Sequence, residues 1–137
     1  LVRGSNRPLS VLDVATGSGD VPISCARRAK AEGLELELHG CDLSEVALSQ
    51  ASQRARDAGL TMTCFQHDIL AEPPPDTYDV VTCNLFAHHL DEEGVCLLLR
   101  NMAHAARRRV LLCDLRRDRI GLGLAWVLAW NPNLGSG

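Results

Sequence analysis

Residues 11–22 read V-L-D-V-A-T-G-S-G-D-V-P, and they are the most informative part of the chain for its fold. A short apolar run that carries an acid precedes a loop with glycines at positions 17 and 19, and a segment compatible with a helix follows. Glycine suits such a loop because it adopts positive φ and, lacking a Cβ, lets the backbone approach a ligand. The pattern of strand, tight turn and helix start predicts a nucleotide-binding loop.

The same loop argues against a dinucleotide. The dinucleotide fingerprint G-x-G-x-x-G would require a glycine at position 22, where the chain has Pro22. Asp13 and Asp20 flank the loop, and two carboxylates disfavour a pyrophosphate at the helix N-terminus. A cationic ligand without phosphate fits this charge better. S-adenosylmethionine, which carries an ammonium and a sulfonium group, is such a ligand.

The stretch V-L-D-V-A-T-G-S-G-D resembles motif I of the class I S-adenosylmethionine-dependent methyltransferases. Its A-T-G-S-G-D part is similar to the ubiquinone/menaquinone methyltransferase branch, and the resemblance extends from Pro8 to Leu115. Ala15 departs from the pattern, because much of the class has glycine there. The resemblance implies S-adenosylmethionine as cofactor and a doubly wound, Rossmann-like parallel sheet with the strand order 3-2-1-4-5.

Strands and helices alternate along the rest of the chain, which predicts right-handed crossovers and a parallel sheet in an α/β fold. The first helix begins at Asp20, which is expected to cap it, and Ser44 and Asp91 are expected to cap the next two. Residues 1–8 are interpreted as a linker or frayed end, and residues 120–137 as a C-terminal helix and tail. The predicted strands are residues 10–14, 34–42, 61–66, 78–84 and 109–115.

The apolar run 120–130 is interpreted as a helix packed on the sheet, with a membrane-surface helix or a helix lining an apolar substrate site as alternatives. Class I methyltransferases normally add two further strands after the fifth, and the sequence predicts neither. The sheet would therefore be truncated, with the fifth strand as an unpaired edge. We expect further residues, a homodimer or another partner to cover it. The chain opens on Leu1, which indicates processing, trimming or partial observation.

Composition indicates one soluble domain with its own core. The chain has 137 residues, and its formal net charge of −3 gives no support for a nucleic-acid partner. Two arginine-rich runs, residues 107–109 and 116–119, are interpreted as a solvated rim. Six cysteines without a C-x-x-C motif favour a reducing cytoplasm. Neither a signal peptide nor a stable membrane span is predicted.

Ligands of open α/β sheets lie beyond the carboxyl ends of the strands, where the strand order reverses. Asp42 ends the second strand, 23 positions after Gly19, and is predicted to accept hydrogen bonds from both ribose hydroxyls, although it could instead cap the helix after it. The resemblance assigns Asp68 to the adenine amino group and Ile69 to the ring face, with a plain turn aspartate as the alternative. Asp13 either orients the loop, reaches the cofactor ammonium through water, or is structural.

Asn84 ends the fourth strand, and the following segment resembles the motif IV region of the family, where backbone carbonyls face the methyl donor and side chains beyond face the acceptor. The predicted cofactor-binding residues are Asp13, Ala15, Thr16, Gly17, Ser18, Gly19, Asp42, Leu43, Asp68, Ile69, Asn84 and Leu85.

His88 and His89 are the candidate catalytic residues near this mouth. An imidazole titrates near neutral pH and could take a hydroxyl proton during methyl transfer, whereas the alternative is a histidine at a helix entry. In-line positioning alone suffices for an already nucleophilic acceptor. No metal is predicted, because nothing places a third ligand beside His67, His88 and His89.

The sequence therefore predicts methyl transfer from S-adenosylmethionine to a small acceptor, aromatic or lipophilic in character. Two alternatives remain open: a nicotinamide-dependent oxidoreductase of Rossmann type, and a methyltransferase-like interaction domain without activity. The identity of the acceptor and of its methylated atom does not follow from the sequence.

Overall fold

A computed structural model of the chain describes residues 7–115 and 125–130. Within them, one sheet contains six strands in the order β3-β2-β1-β4-β5-β6. All neighbouring pairs up to β5 are parallel, which confirms the predicted order 3-2-1-4-5. The strands are β1 (Leu9–Val14), β2 (Leu36–Asp42), β3 (Met62–Gln66), β4 (Tyr78–Asn84), β5 (Ala106–Leu115) and β6 (Ala125–Trp130).

Three α-helices and a 3₁₀ turn connect these strands: α1 (Asp20–Ala31), α2 (Glu45–Asp57), the turn Ala87–His89 and α3 (Glu92–Ala105). Ser44 Oγ accepts from Ala47 N at 3.2 Å and Asp91 Oδ1 from Gly94 N at 2.8 Å, which confirms both predicted caps. The predicted cap by Asp20 is wrong. Gly19 occupies the N-cap of α1 with a φ of 77° and no side-chain bond, and Asp20 is the first helical residue.

The end of the sheet differs from the prediction. Residues 125–130 form β6, which pairs antiparallel with β5, so the helix and both alternatives predicted for 120–130 are wrong there. The run A-W-V-L-A-W is rich in residues that favour strands, and the open edge of β5 offers unpaired backbone groups. In the described residues the sheet therefore continues beyond β5, because β6 pairs with residues 110–115 along that edge. Residues 120–124 and 131–137 lie outside the described part.

Apolar side chains cover both faces of the sheet, as the buried parallel strands require. Alternation along β1 sends Val11 into a cluster with α1 and α2, and Leu12 and Val14 into a second cluster with Leu98 and Met102 of α3. Strand order reverses between β1 and β4. The core thus fixes the carboxyl ends of β1 and β4 on either side of a crevice.

A buried carboxylate organises the opposite end of the sheet. Asp79 is 1% exposed and accepts from Arg7 Nη1 at 2.9 Å, from Arg107 Nε at 3.3 Å and from Ser10 N at 3.0 Å. Arg108 Nε lies 3.6 Å from the same carboxylate. Arg107 and Arg108 are therefore paired rather than a merely solvated rim, and Arg7 is not part of a frayed end. Residues 1–6 and 116–119 lie outside the described part.

Burial raises the pKa of Asp79, but the hydrogen bonds from Arg7, Ser10 and Arg107 outweigh burial and hold the pKa well below its usual range.

In residues 7–115 and 125–130, no helix combines the length and the apolar character needed to cross a bilayer.

Candidate active site

The loop between β1 and α1 turns through three residues of positive φ: Ala15 at 51°, Gly17 at 57° and Gly19 at 77°. A Cβ on Gly17 would meet no atom within 4 Å, whereas a Cβ on Gly19 would lie 3.0 Å from Ala51 Cβ in α2. Gly17 therefore leaves open space over the loop, and Gly19 permits the close approach of α2. The two glycines serve different purposes.

Asp42 ties this loop to the end of β2. Its Oδ2 accepts from Gly17 N at 2.8 Å, and its Oδ1 accepts from Ser44 N at 2.9 Å. Thr16 N also donates to Cys41 O at 3.0 Å. Asp42 thus supports both the loop and the residue that precedes α2, but the helix cap predicted as its alternative role is made by Ser44 instead. Each carboxylate oxygen has a further lone pair, so two hydroxyl donors can still be accepted.

A cleft of about 140 Å³ lies beside the loop. Several residues predicted from the sequence meet in it, and its lining consists of Ala15, Asp42, Leu43, His67, Asp68, Ile69, Leu70 and Phe86. Asp68 Oδ1 accepts from Leu70 N at 3.0 Å, which is the turn geometry of the alternative interpretation, and its other oxygen has no recorded donor in the described part of the chain. Asn101 of α3, missed by the sequence reasoning, holds this segment by donating to Ile69 O at 2.7 Å.

Asp13 is buried behind the loop. Its Oδ1 accepts from Thr82 Oγ1 at 2.6 Å and from Asn84 Nδ2 at 2.9 Å. Burial raises the pKa of Asp13 and the charge of Asp42 adds to the rise, while the interactions with Thr82, Thr16 and Asn84 oppose it. Thr82 was missed, although a threonine two positions before Asn84 must share its face of β4. The side chain of Asn84 therefore binds Asp13, and both lie at the crevice.

Thr16 carries an unsatisfied polar atom. The residue is 8% exposed, and among the described residues its buried hydroxyl makes no hydrogen bond of normal geometry, although its interaction with Asp13 lowers the pKa of that carboxyl. Ser18 differs, because its hydroxyl donates to Asp20 Oδ2 at 3.1 Å and Asp20 also pairs with Arg54. A buried hydroxyl without a well-formed hydrogen bond is rare in folded proteins.

The segment after β4 bends sharply towards β5. Leu85 adopts a φ of 57°, is 46% exposed, and donates its N–H to Cys113 O at 2.8 Å. The next turn places His88 against Asp114 at the end of β5, with Nδ1 2.7 Å from Oδ1 and the backbone N–H 2.6 Å from Oδ2. His89 is exposed, with its ring centroid 4.0 Å from that of His88. Asp114 was missed, although an acid at the carboxyl end of an apolar strand is a usable signal.

Residues 11–117 match a family model described as a methyltransferase domain. The chain belongs to this family. This is the family that the sequence motifs predicted. The match covers the glycine loop, Asp42, Asp68 and the segment that follows β4.

Relatives of this methyltransferase domain carry related names. It is 32% identical over 139 residues to the ubiquinone/menaquinone biosynthesis C-methyltransferase of Bordetella avium, covering 93% of this chain and 49% of that protein. It is 38% identical over 80 residues to the demethylmenaquinone methyltransferase of Deinococcus radiodurans, covering 58% of this chain and 32% of the relative. The chain thus spans half or less of the length of these curated relatives.

Solved structures share the fold of the methyltransferase domain. The magnesium protoporphyrin IX methyltransferase of Synechocystis, crystallised with S-adenosylhomocysteine, superposes with a TM-score of 0.70 at 23% identity. That superposition covers 85% of this chain and 51% of the other. The Rossmann-like architecture predicted from the sequence is therefore confirmed.

Proposed function

We propose that this methyltransferase domain binds S-adenosylmethionine and transfers its methyl group to a small aromatic or lipophilic acceptor. The observation that carries the proposal is the junction of the glycine loop with Asp42 beside the cleft. The open space over Gly17 lies in that same loop, as does the hydroxyl of Thr16, which lacks a well-formed hydrogen bond among the described residues. A ligand that fills the space and satisfies the hydroxyl would complete it.

The adenosine part of the cofactor fits the residues of the cleft. Asp42 would accept the ribose hydroxyls with its remaining lone pairs. Asp68 would accept from the adenine amino group with the oxygen not engaged by Leu70, while Leu43 and Ile69 would flank the ring. The roles of Asp42, Asp68 and Ile69 are those expected from the sequence and its resemblance, and the role of Leu43 is inferred from its place in the cleft.

The charge of the loop fits the other part of the cofactor. Asp13 and Asp42 provide carboxylates on either side of the loop, and a phosphate-free cation suits them better than a pyrophosphate does. When bound, S-adenosylmethionine supplies an electrophilic methyl group on a positively charged sulfur, which departs as a neutral thioether. Asn84 and Thr82 would keep Asp13 in a fixed orientation at the crevice.

The acceptor class is supported by the mouth and by the relatives. Leu85 is an exposed apolar side chain at the carboxyl end of β4, and Phe86 lines the cleft behind it. The names of the relatives refer to menaquinone and ubiquinone, and a lipophilic aromatic acceptor suits an apolar mouth.

Six free cysteines fit a cytoplasmic enzyme.

Titration calorimetry of the chain with S-adenosylmethionine, S-adenosylhomocysteine and NAD⁺ tests the proposal. We expect heat from the first two nucleosides, and binding weakened about tenfold or more by Asp42→Asn, a loss of about 1.4 kcal/mol or more. Asp57→Asn, on the exposed end of α2, is the matched control and should bind normally. A folded chain that binds neither nucleoside contradicts the proposal, and binding of NAD⁺ instead would favour an oxidoreductase.

A further inference from the structure

Asn101 is a polar residue on the buried face of α3. In this helix, all of which the structure describes, the buried residues are Leu98, Asn101, Met102 and Ala105, and Asn101 alone among them is polar. It is 6% exposed, and burying an amide is costly unless the amide is hydrogen-bonded. An apolar side chain would suit this face of the helix as well, so packing does not explain the asparagine.

The amide of Asn101 binds the segment that follows β3. Its Nδ2 donates to Ile69 O at 2.7 Å, in a buried contact between residues 32 positions apart. No backbone N–H of the described residues donates to that carbonyl. A carbonyl oxygen accepts only, so the contact also fixes which end of the amide faces the segment. Helix α3 therefore holds the backbone of Ile69 from the core side.

The segment held in this way, residues 67–70, lines the proposed cofactor cleft. Asp68 closes a turn within it, because its Oδ1 accepts from Leu70 N at 3.0 Å and its backbone O accepts from Ala71 N at 3.1 Å. At the start of the segment, His67 N donates to Asp42 O at 3.1 Å. The turn is thus attached to the sheet at one end and to α3 through Asn101.

We propose that Asn101 is a positioning residue that sets the selectivity of the cleft for adenine. The inference rests on the proposed function, in which Asp68 accepts from the adenine amino group. Because α3 already holds the turn, ligand binding does not have to order it. The ribose contact is independent, since Asp42 accepts from Gly17 N at 2.8 Å and from Ser44 N at 2.9 Å. Loss of the Asn101 bond should therefore weaken recognition of the base and spare that of the ribose.

Calorimetry of the whole chain with two nucleosides tests this selectivity. The probes are S-adenosylhomocysteine and its purine analogue, which lacks the 6-amino group and cannot donate to Asp68. We expect the unaltered chain to prefer S-adenosylhomocysteine by about ten- to a hundredfold, because hydrogen bonds to charged groups are the stronger ones. In Asn101→Leu, which keeps a side chain of similar size, this preference should fall to about threefold or less, mainly through weaker binding of S-adenosylhomocysteine.

Three further variants isolate the effect. Asp42→Asn should weaken both nucleosides equally, because both carry the ribose, and should leave the preference unchanged. Ala105→Gly weakens the last turn of α3 without removing the bond to Ile69, so it should also leave the preference unchanged. Asp68→Asn should abolish the preference, because an amide nitrogen replaces the oxygen that would accept. Adding Asn101→Leu to Asp68→Asn should then change the preference no further.

Amide hydrogen exchange of the ligand-free chain measures the positioning itself. Exchange at Leu70 and Ala71 should be about tenfold faster in Asn101→Leu than in the unaltered chain, because the turn loses its attachment to α3. In Ala105→Gly, which keeps that attachment, the same two amides should exchange as in the unaltered chain.

An unchanged preference in folded Asn101→Leu and Asn101→Ala variants would overturn the inference. Unchanged exchange at Leu70 and Ala71 in these variants would do the same, as would an unaltered chain that binds both nucleosides equally well. Failure of the proposed function gives a different result, because the unaltered chain would then bind neither nucleoside.

Discussion

Ala15 adopts a left-handed backbone at a position where the resemblance favours glycine. Its φ of 51° costs an L-residue about 1–2 kcal/mol that glycine does not incur. Glycine at this position would remove that strain, but part of the resulting stabilisation is offset because glycine has more conformational freedom in the unfolded chain. We expect Ala15→Gly to raise the free energy of unfolding by about 0.5–1 kcal/mol in urea denaturation.

Ala29→Gly in α1 is the matched control for this substitution. Ala29 lies inside the helix, so glycine there should lower the free energy of unfolding by about 1 kcal/mol. Equal destabilisation by both substitutions would show that Ala15 is not strained.

Asp79 couples stability to acid. Its pKa lies well below the value of about 3.9 for an unfolded aspartate, so its stabilising contribution is complete above that value and is lost as pH falls towards the folded pKa. We expect Asp79→Asn to lower the free energy of unfolding at pH 7 by about 2–4 kcal/mol, because Arg7 and Arg107 lose their anion. The measurement is urea denaturation between pH 7 and pH 3.

The difference in stability between Asp79→Asn and the unaltered chain should narrow as pH falls below about 4. Asp76→Asn, in the exposed loop before β4, is the control and should change stability little at pH 7. A difference for Asp79→Asn that is constant across the range would mean that the carboxylate is not the group whose ionisation matters.

The two glycines of the loop between β1 and α1 have different surroundings, so the proposed ligand contact can be tested separately from helix packing. Gly17→Ala places a methyl group in open space at a φ of 57°, so we expect only about 1–2 kcal/mol of backbone strain but a loss of S-adenosylmethionine binding. Gly19→Ala adds a contact 3.0 Å from Ala51 Cβ and 3.1 Å from Ile23 Cδ1 and should destabilise the fold more.

Thermal denaturation and calorimetry of both variants measure these two effects. Binding that survives in Gly17→Ala at full strength would contradict the placement of the ligand over this loop. If the Gly19→Ala variant has the same melting temperature as the Gly17→Ala variant, α2 can move away from the loop without loss of stability.

Elements with local signals could be predicted from the sequence, and contacts between distant strands could not. The glycine loop and the caps at Ser44 and Asp91 depend on residues within a few positions of one another. Asp79 binds Arg7, 72 positions away, and Asp114 binds His88, 26 positions away. No local pattern in the sequence indicates these partners. The cleft beside Asp42 was predictable because known topology brings strand ends together.

At the scale of the whole molecule, β6 changes what the edge of the sheet requires. If β5 were the last strand, its outer edge would present unpaired backbone groups to another molecule. The antiparallel pairing of β5 with β6 satisfies those groups within one chain. The periodicity of 120–130 could not reveal this, because a short apolar run fits a buried helix and a strand equally well. The unpaired backbone groups of β5 favour the strand over the helix, and these groups lie outside the apolar run.

Proline substitutions in β6 test this pairing. Val127 lies opposite Cys113 and Leu128 opposite Leu112, and successive N–H groups of a strand point to opposite edges. Of Val127→Pro and Leu128→Pro, only one therefore removes a hydrogen bond to β5, and the other acts as its control. We expect the disruptive variant to lose thermal stability and to sediment as larger species with rising concentration, because β5 becomes an open edge. Two variants that both behave like the unaltered chain would contradict the pairing, since a strand hydrogen-bonded to β5 cannot accept proline at both positions.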